Sequence, residues 1–232
     1  HKVFTNCQSL ESLDLSNFNN SLVEDMDSLF EGCSSLTSLD ISSFDTSQVT
    51  TIVNMFSHCK LLTSLNLSHF RTPKVKKMEK LFNECNSLQF IDISNFDTSL
   101  ISSLDNFFHQ CISLKSINLS NFNTSLVTVM ESTFKNCSSL ISLDISNFDT
   151  SITFNFNFMF LNCKSLTSLN LSNFNVTETE DMGNMFTGCK SLTSLDLSNF
   201  ITPKVTQTGE IFFYCLNLEY INLKNAYFEP SN

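Results

Sequence analysis

The chain has 232 residues, with 13 Lys and Arg against 23 Asp and Glu, a formal net charge of −10. That balance disfavours nucleic acid as a partner, because phosphate neutralisation requires clustered cations. No run of 18 apolar residues is present to cross a bilayer, whereas 41% hydrophobic residues with only four Gly and three Pro suit one long buried core and no linker.

From the start of the chain, Val3-Phe4-Thr5-Asn6-Cys7 matches the end of a later unit, Met55-Phe56-Ser57-His58-Cys59. The chain is therefore expected to begin inside a repeat and to be a fragment of a longer protein. Cysteines follow at 7, 33, 59, 85, 111, 137, 163, 189 and 215, each 26 residues after the last. A fixed period of this length marks a coil stacked on copies of itself. One domain over residues 1–232 is expected, with about nine repeats starting at Cys7, Cys33, Cys59, Cys85, Cys111, Cys137, Cys163, Cys189 and Cys215. Position 1 below is the Cys of each coil.

Position 4 is Leu in all nine coils, and positions 7 and 9 are Leu or Ile throughout. Residues two apart share a face of a strand. Positions 7 and 9 thus point inward and 6, 8 and 10 outward, on a short strand that pairs in parallel with its copies. In the second half, Val23, Met26, Leu29 and Phe30 fall at i, i+3, i+6 and i+7, the stripe of a helix of about ten residues. Thr72-Pro73 and Thr202-Pro203 read as its N-cap and first residue. Gly32, Asn136, Asn162 and Gly188 read as left-handed C-terminal residues. The fold class expected is α/β, a solenoid with one short parallel strand and one short helix per 26-residue coil. Unit nine loses the pattern at Asn225-Ala226-Tyr227.

Phe fills two columns, position 12 (Phe18 to Phe200) and position 24 (Phe30 to Phe212), expected to stack as two aromatic spines. The cysteines read as a buried ladder of free thiols, since neighbouring Cβ vectors run parallel instead of converging. No CxxC spacing occurs and the four His share no column, so no metal or cofactor is expected.

L-x-x-L-x-L at positions 4, 7 and 9 is the pattern of leucine-rich repeats. The fuller unit C-x-S-L-x-S-L-[DN]-[LI]-S-N-F-[DN]-T-S-x-V-x-x-M-x-x-M-F resembles the 26-residue repeat of BspA-type bacterial surface proteins over essentially the whole chain. The resemblance implies a cell-surface or secreted location, adhesion, and host or matrix proteins or glycans as ligands, with no catalytic residues. Ordinary leucine-rich repeats carry an Asn ladder where this chain has Phe; here Asn stands one place earlier (Asn95, Asn147, Asn199), with no role assigned by sequence.

Candidate binding residues lie on the outward strand positions. Position 8 runs Asp14, Asp40, Asn66, Asp92, Asn118, Asp144, Asn170, Asp196. Interleaved Asn relieves the repulsion between stacked carboxylates, and the row reads either as a solvated polar face or as a ligand strip. Phe90 and Tyr220 replace Ser on that face, the residue type that interfaces favour. Phe154 and Phe158 fall on the helical side that other repeats leave polar. Lys74 and Lys77 belong to a basic cluster in repeat three, which reads either as a solvated face or as a patch that the acidic faces at Glu24, Asp25 and Asp27 or at Glu178, Glu180 and Asp181 of another molecule could receive. The reading is a non-enzymatic surface-binding module with a protein or glycan partner. The second reading is a structural scaffold that self-associates through its open repeat ends. An enzyme is not expected, because a translational repeat presents like groups in rows, and catalysis needs unlike groups converging.

Overall fold

The computed structural model describes residues 2–226; His1 and the pattern break at Tyr227 lie outside that range. The chain coils with the 26-residue period of its cysteines. Strand β1 (Ser64–Asn66) pairs in parallel with β2 (Phe90–Asp92), and β3 (Ser194–Asp196) with β4 (Tyr220–Asn222). In both pairs each residue faces the one 26 places on, as in Leu65↔Ile91 and Leu195↔Ile221. The other coils carry the same segment without a strand ladder.

The core is one row of like side chains per column. The position-4 leucines from Leu36 to Leu192, the position-9 residues from Leu15 to Leu197 and the cysteines from Cys33 to Cys189 are all buried. The nine thiols are free. From Cys33 to Cys215 each thiol donates to the carbonyl of the Phe 29 residues earlier, as Cys85 Sγ does to Phe56 O at 3.1 Å. Phe rings at position 24 stack without a break from Phe4 to Phe212, at centroid spacings of 5.5–5.9 Å. The position-12 column does not form a second spine. Its rings pair at Phe18–Phe44 and Phe70–Phe96, while Phe122 and Phe174 meet Phe107 and Phe156 instead.

The expected helix is corrected. Among the described residues there is no helix, and the apolar stripe Val23, Met26, Leu29, Phe30 lies on a succession of tight turns. The hydrogen bonds show why. Leu29 N, Glu31 N and Cys33 N close i→i−3 turns, whereas the alternate donors Met26 N, Ser28 N, Phe30 N and Gly32 N leave the coil for Thr51, Val53, Met55 and Ser57 O in the next. An α-helix would keep every N–H inside the segment. Ten residues are too few for a stable isolated helix, and the neighbouring coil supplies acceptors at every second residue. The pattern recurs down the stack, with parallel bridges Asp25↔Thr51↔Lys77 and Ser103↔Val129↔Asn155↔Asp181↔Gln207.

Two left-handed residues per coil make this path. Position 22 (Ser28, Asn54, Lys80, Asn106, Ser132, Phe158, Asn184, Glu210) and position 26 (Gly32, His58, Glu84, Gln110, Asn136, Asn162, Gly188, Tyr214) all have φ between 52° and 74°. A right-handed helix cannot pass through either. Each occupies the third place of a four-residue turn, where a positive φ is what a type II turn requires. Gly32, Asn136, Asn162 and Gly188 are thus left-handed as expected, but as turn residues and not as helix ends.

The prolines take a different role too. At position 13, Asp45, Asp97, Asn123, Asp149 and Asn175 accept the backbone N–H of position 15. Pro73 and Pro203 occupy position 15 in two coils and have no N–H to offer. In those two coils position 13 is Arg71 and Ile201, neither an Asx residue. Donor and acceptor are absent together.

Candidate functional site

The outward strand face is built as the alternation requires. Position 8 is exposed from Asp14 to Asp196, as are the serines of position 6. Each position-8 side chain also holds the backbone. Oδ1 of Asp14, Asp40, Asn66, Asp92, Asn118, Asp144, Asn170, Asp196 and Asn222 accepts the N–H of the residue two places on, at 2.9–3.2 Å. This Asx turn ends the strand segment. Asp and Asn both own that oxygen, which accounts for either residue standing at this position. Hydrogen bonds from the following serine hold the carboxyls of Asp14, Asp40, Asp92, Asp144 and Asp196 below the ordinary carboxylate value.

Asp92→Asn is therefore expected to leave the melting temperature near that of the unsubstituted chain, and Asn118→Asp, which keeps the acceptor but sets three carboxylates in a row, to lower it only slightly. Asn118→Ala, which removes the turn acceptor, should lower it by about 2–4 °C. Thermal unfolding followed by circular dichroism checks the contrast, and an equal drop for all three would remove the structural role.

Phe90 and Tyr220 stand on this face, 66% and 61% exposed. They are five coils apart, so they do not share one site. Phe90 borders a depression of about 530 Å³ across coils three to five, with Ser64, Asn66, Asp92, Ser116 and Asn118 around it and Ile91 and Ile117 below. Ile91 and Ile117 are only partly buried, unlike Leu65 and Leu195. An aromatic platform beside spaced hydroxyl, amide and carboxylate groups is the surface chemistry of a ligand-binding site.

The other candidates lie elsewhere on the coil and are not brought to this depression. Phe158 sits at the left-handed position 22 and has Lys135 Nζ 4.3 Å from its ring centroid, a cation–π contact. Phe154 is 40% exposed at position 18. With no helix they are not one i, i+4 pair on a helical side. Lys74 donates to Gln48 Oε1 at 2.6 Å, and Lys77 is exposed.

Two ladders escaped the sequence reading. The buried threonines at position 14 bridge coils twice over: Thr72 Oγ1 donates to Asp97 O and accepts from Asp97 N, both at 2.8 Å. Thr46, Thr98 and Thr150 repeat the pair. Thr46, Thr98 and Thr150 stand in the Asp-Thr-Ser triplets 45–47, 97–99 and 149–151, the visible trace of this ladder in sequence. The position-11 Asn acquires a role as well. Asn121, Asn147, Asn173 and Asn199 each donate to the carbonyl of the preceding coil's position-12 Phe, at 2.7–2.8 Å. It is a true inter-coil ladder displaced by one residue.

Among the described residues no group of three or more His, Cys, Asp or Glu is arranged to hold a metal, and no helix is long and apolar enough to cross a membrane. The family model described as Mycoplasma protein of unknown function, DUF285, matches residues 1–116, 83–169 and 102–225. Among curated proteins none matches. A solved leucine-rich repeat protein of T. pallidum (TpLRR) is 22% identical over 78% of this chain and 76% of its own, with a TM-score of 0.50. One from Bacteroides ovatus is 19% identical over 94% of this chain and 74% of its own, with a TM-score of 0.39. The first likeness establishes the fold as a leucine-rich-repeat solenoid.

Proposed function

We propose, from the premise that this chain belongs to the DUF285 family of Mycoplasma proteins of unknown function, that it is a non-enzymatic binding module. It acts at the cell surface or after secretion, in the manner its BspA-type repeat suggests. It forms a single domain of about nine repeats. Its strand face receives a protein or glycan ligand, and the site is centred on coils three to five.

The observation that carries this reading is Phe90. In the other coils from one to eight, Ser holds position 6; here a ring stands 66% exposed beside a polar depression. Nothing in the core gains from that ring, and exposed aromatics backed by hydrogen-bonding groups supply binding energy at interfaces. Asp92 and Asn118, held by their Asx turns, present oriented acceptors on either side.

Immobilised protein probed with extracellular-matrix proteins and a glycan array tests the reading. A ligand is expected whose affinity falls at least tenfold, or about 1.4 kcal/mol, in Phe90→Ala, with folding unchanged. Binding no stronger than to a surface-scrambled control would remove the adhesive role. A ligand indifferent to Phe90→Ala would move the site elsewhere.

A further inference from the structure

We propose that a second copy of this chain docks antiparallel on the face formed by positions 16, 18 and 19, about a twofold axis running along coil five. Three rows carry the inference. Position 16 reads Lys74, Leu100, Leu126, Ile152, Glu178 across coils three to seven. Position 18 reads Lys76, Ser102, Thr128, Phe154, Glu180, and position 19 reads Lys77, Ser103, Val129, Asn155, Asp181. Every row has a lysine in coil three, an acid in coil seven, and uncharged residues between.

The structure places these rows side by side on one surface. Position 18 is tied coil to coil by Lys76 N→Thr50 O, Thr128 N→Ser102 O, Phe154 N→Thr128 O and Glu180 N→Phe154 O. Position 19 forms the bridge ladder. Position 17 between them is buried at Val75, Val127 and Thr179, so positions 16 and 18 turn outward together. Lys74, Lys76, Lys77, Glu178 and Glu180 are exposed. Leu100, Leu126, Ile152 and Phe154 are exposed by 42, 50, 41 and 40%, an aliphatic and aromatic stripe at the centre of the face.

A twofold axis in the contact plane, along coil five, sends each row onto itself with coil order reversed. Leu126 then meets Leu126 of the second copy, Leu100 meets Ile152, and Lys74, Lys76 and Lys77 meet Glu178, Glu180 and Asp181. Reciprocity doubles these to six charge pairs around an apolar centre, the isologous form of a twofold contact. The register is selective. A parallel arrangement sets lysine on lysine, and a slip of one coil sets Lys74 against Ile152. Existing neighbours are compatible: Lys204, which pairs with Glu178, arrives opposite Gln48, which pairs with Lys74. Both strand faces remain uncovered in the pair.

Sedimentation of the chain over a concentration series, at about 0.05 M and about 0.5 M salt, reads the association. A dimer is expected at low salt and a shift toward monomer at high salt. Lys74→Glu with Lys76→Glu, and separately Glu178→Lys with Glu180→Lys, should each weaken self-association at least tenfold. An equimolar mixture of these two variants should restore a one-to-one heterodimer, and the variant carrying all four changes should restore the homodimer. All four sites are exposed, so Lys74→Glu with Lys76→Glu should melt near the unsubstituted chain, while Glu178→Lys, which also loses its Lys204 pair, should melt lower by no more than about 2–4 °C. A monomer at every concentration in low salt would overturn the proposal. So would association unaffected by either charge reversal, as end-to-end stacking would be, or two monomeric variants that fail to pair on mixing.

Discussion

Phe134→Ala is expected to destabilise the solenoid by about 3–5 kcal/mol, the range for truncating a buried aromatic ring. Phe134 is 1% exposed and lies between Phe108 and Phe160 at 5.9 and 5.8 Å, nearly parallel to both. The void it leaves cannot collapse easily. Backbone on either side is held by Phe134 N→Met159 O and Phe108 N→Thr133 O, so the coils cannot close along the axis. Stability in a stacked array is set by each unit and its nearest neighbours. A break at coil five should therefore also split the unfolding of coils one to four from that of coils six to nine. Guanidinium unfolding is expected to show an earlier midpoint and a lower or two-phase slope. Phe90→Ala, at an exposed ring, serves as the control and should change stability by no more than about 0.5 kcal/mol. A matching loss in both variants would show that the spine contributes nothing particular.

The thiol ladder should make the protein unusually sensitive to alkali. Burial pushes Cys85 and Cys137 up to about 12 from an ordinary value of 9.0, and raises Cys59, Cys111, Cys163 and Cys189 well above it. The sign follows from proton uptake. Between pH 9 and 12 the unfolded chain has lost these protons while the native chain keeps them, so stability falls as pH rises. Below pH 9 both states are protonated and the ladder contributes no pH dependence. Cys85 and Cys137 together should withdraw about 5 kcal/mol between pH 8 and pH 11. Urea unfolding across that interval checks this against the double variant Cys85→Ala with Cys137→Ala. That variant should be less stable at pH 8 but show a shallower fall toward pH 11. Parallel slopes in the two proteins would place the alkaline loss on other groups.

Much of this architecture was legible residue by residue. Leu at position 4, Leu or Ile at 7 and 9, and Cys at position 1 each recur at a spacing that only translational stacking explains, and through the middle coils they line the interior, with Ile91 and Ile117 only partly buried and Cys7 exposed in the first coil. The outward set at positions 6 and 8 followed from strand alternation alone. The helix did not survive, for a definite reason. An apolar residue every third or fourth place satisfies a helix, and equally a chain of i→i−3 turns whose side chains point to the same core. What separates the two is the destination of Met26 N or Phe30 N, and that acceptor sits 25 residues away. Local pattern is silent on it.

The candidate site was read in part. Phe90, Asp92 and Asn118 were singled out one by one, but their convergence on a depression with Ile91 and Ile117 beneath depends on how the neighbouring coils stack. The second job of position 8, as turn acceptor, was present in sequence as the tolerance of Asp for Asn, and the pairing of Arg71 with Pro73 and Ile201 with Pro203 carried the same message at position 13. Neither meaning could be extracted until the N–H two residues on was placed.

By itself, then, the amino-acid order determined the 26-residue repeat, the inward columns and the polarity of the strand face, because side-chain burial is dictated by type and spacing. Tertiary structure decided how the second half of each coil disposes of its backbone hydrogen bonds, which aromatic column stacks continuously, and which exposed residues share a surface. Those outcomes rest on partners one full coil distant, and only the stacked chain brings such partners within reach.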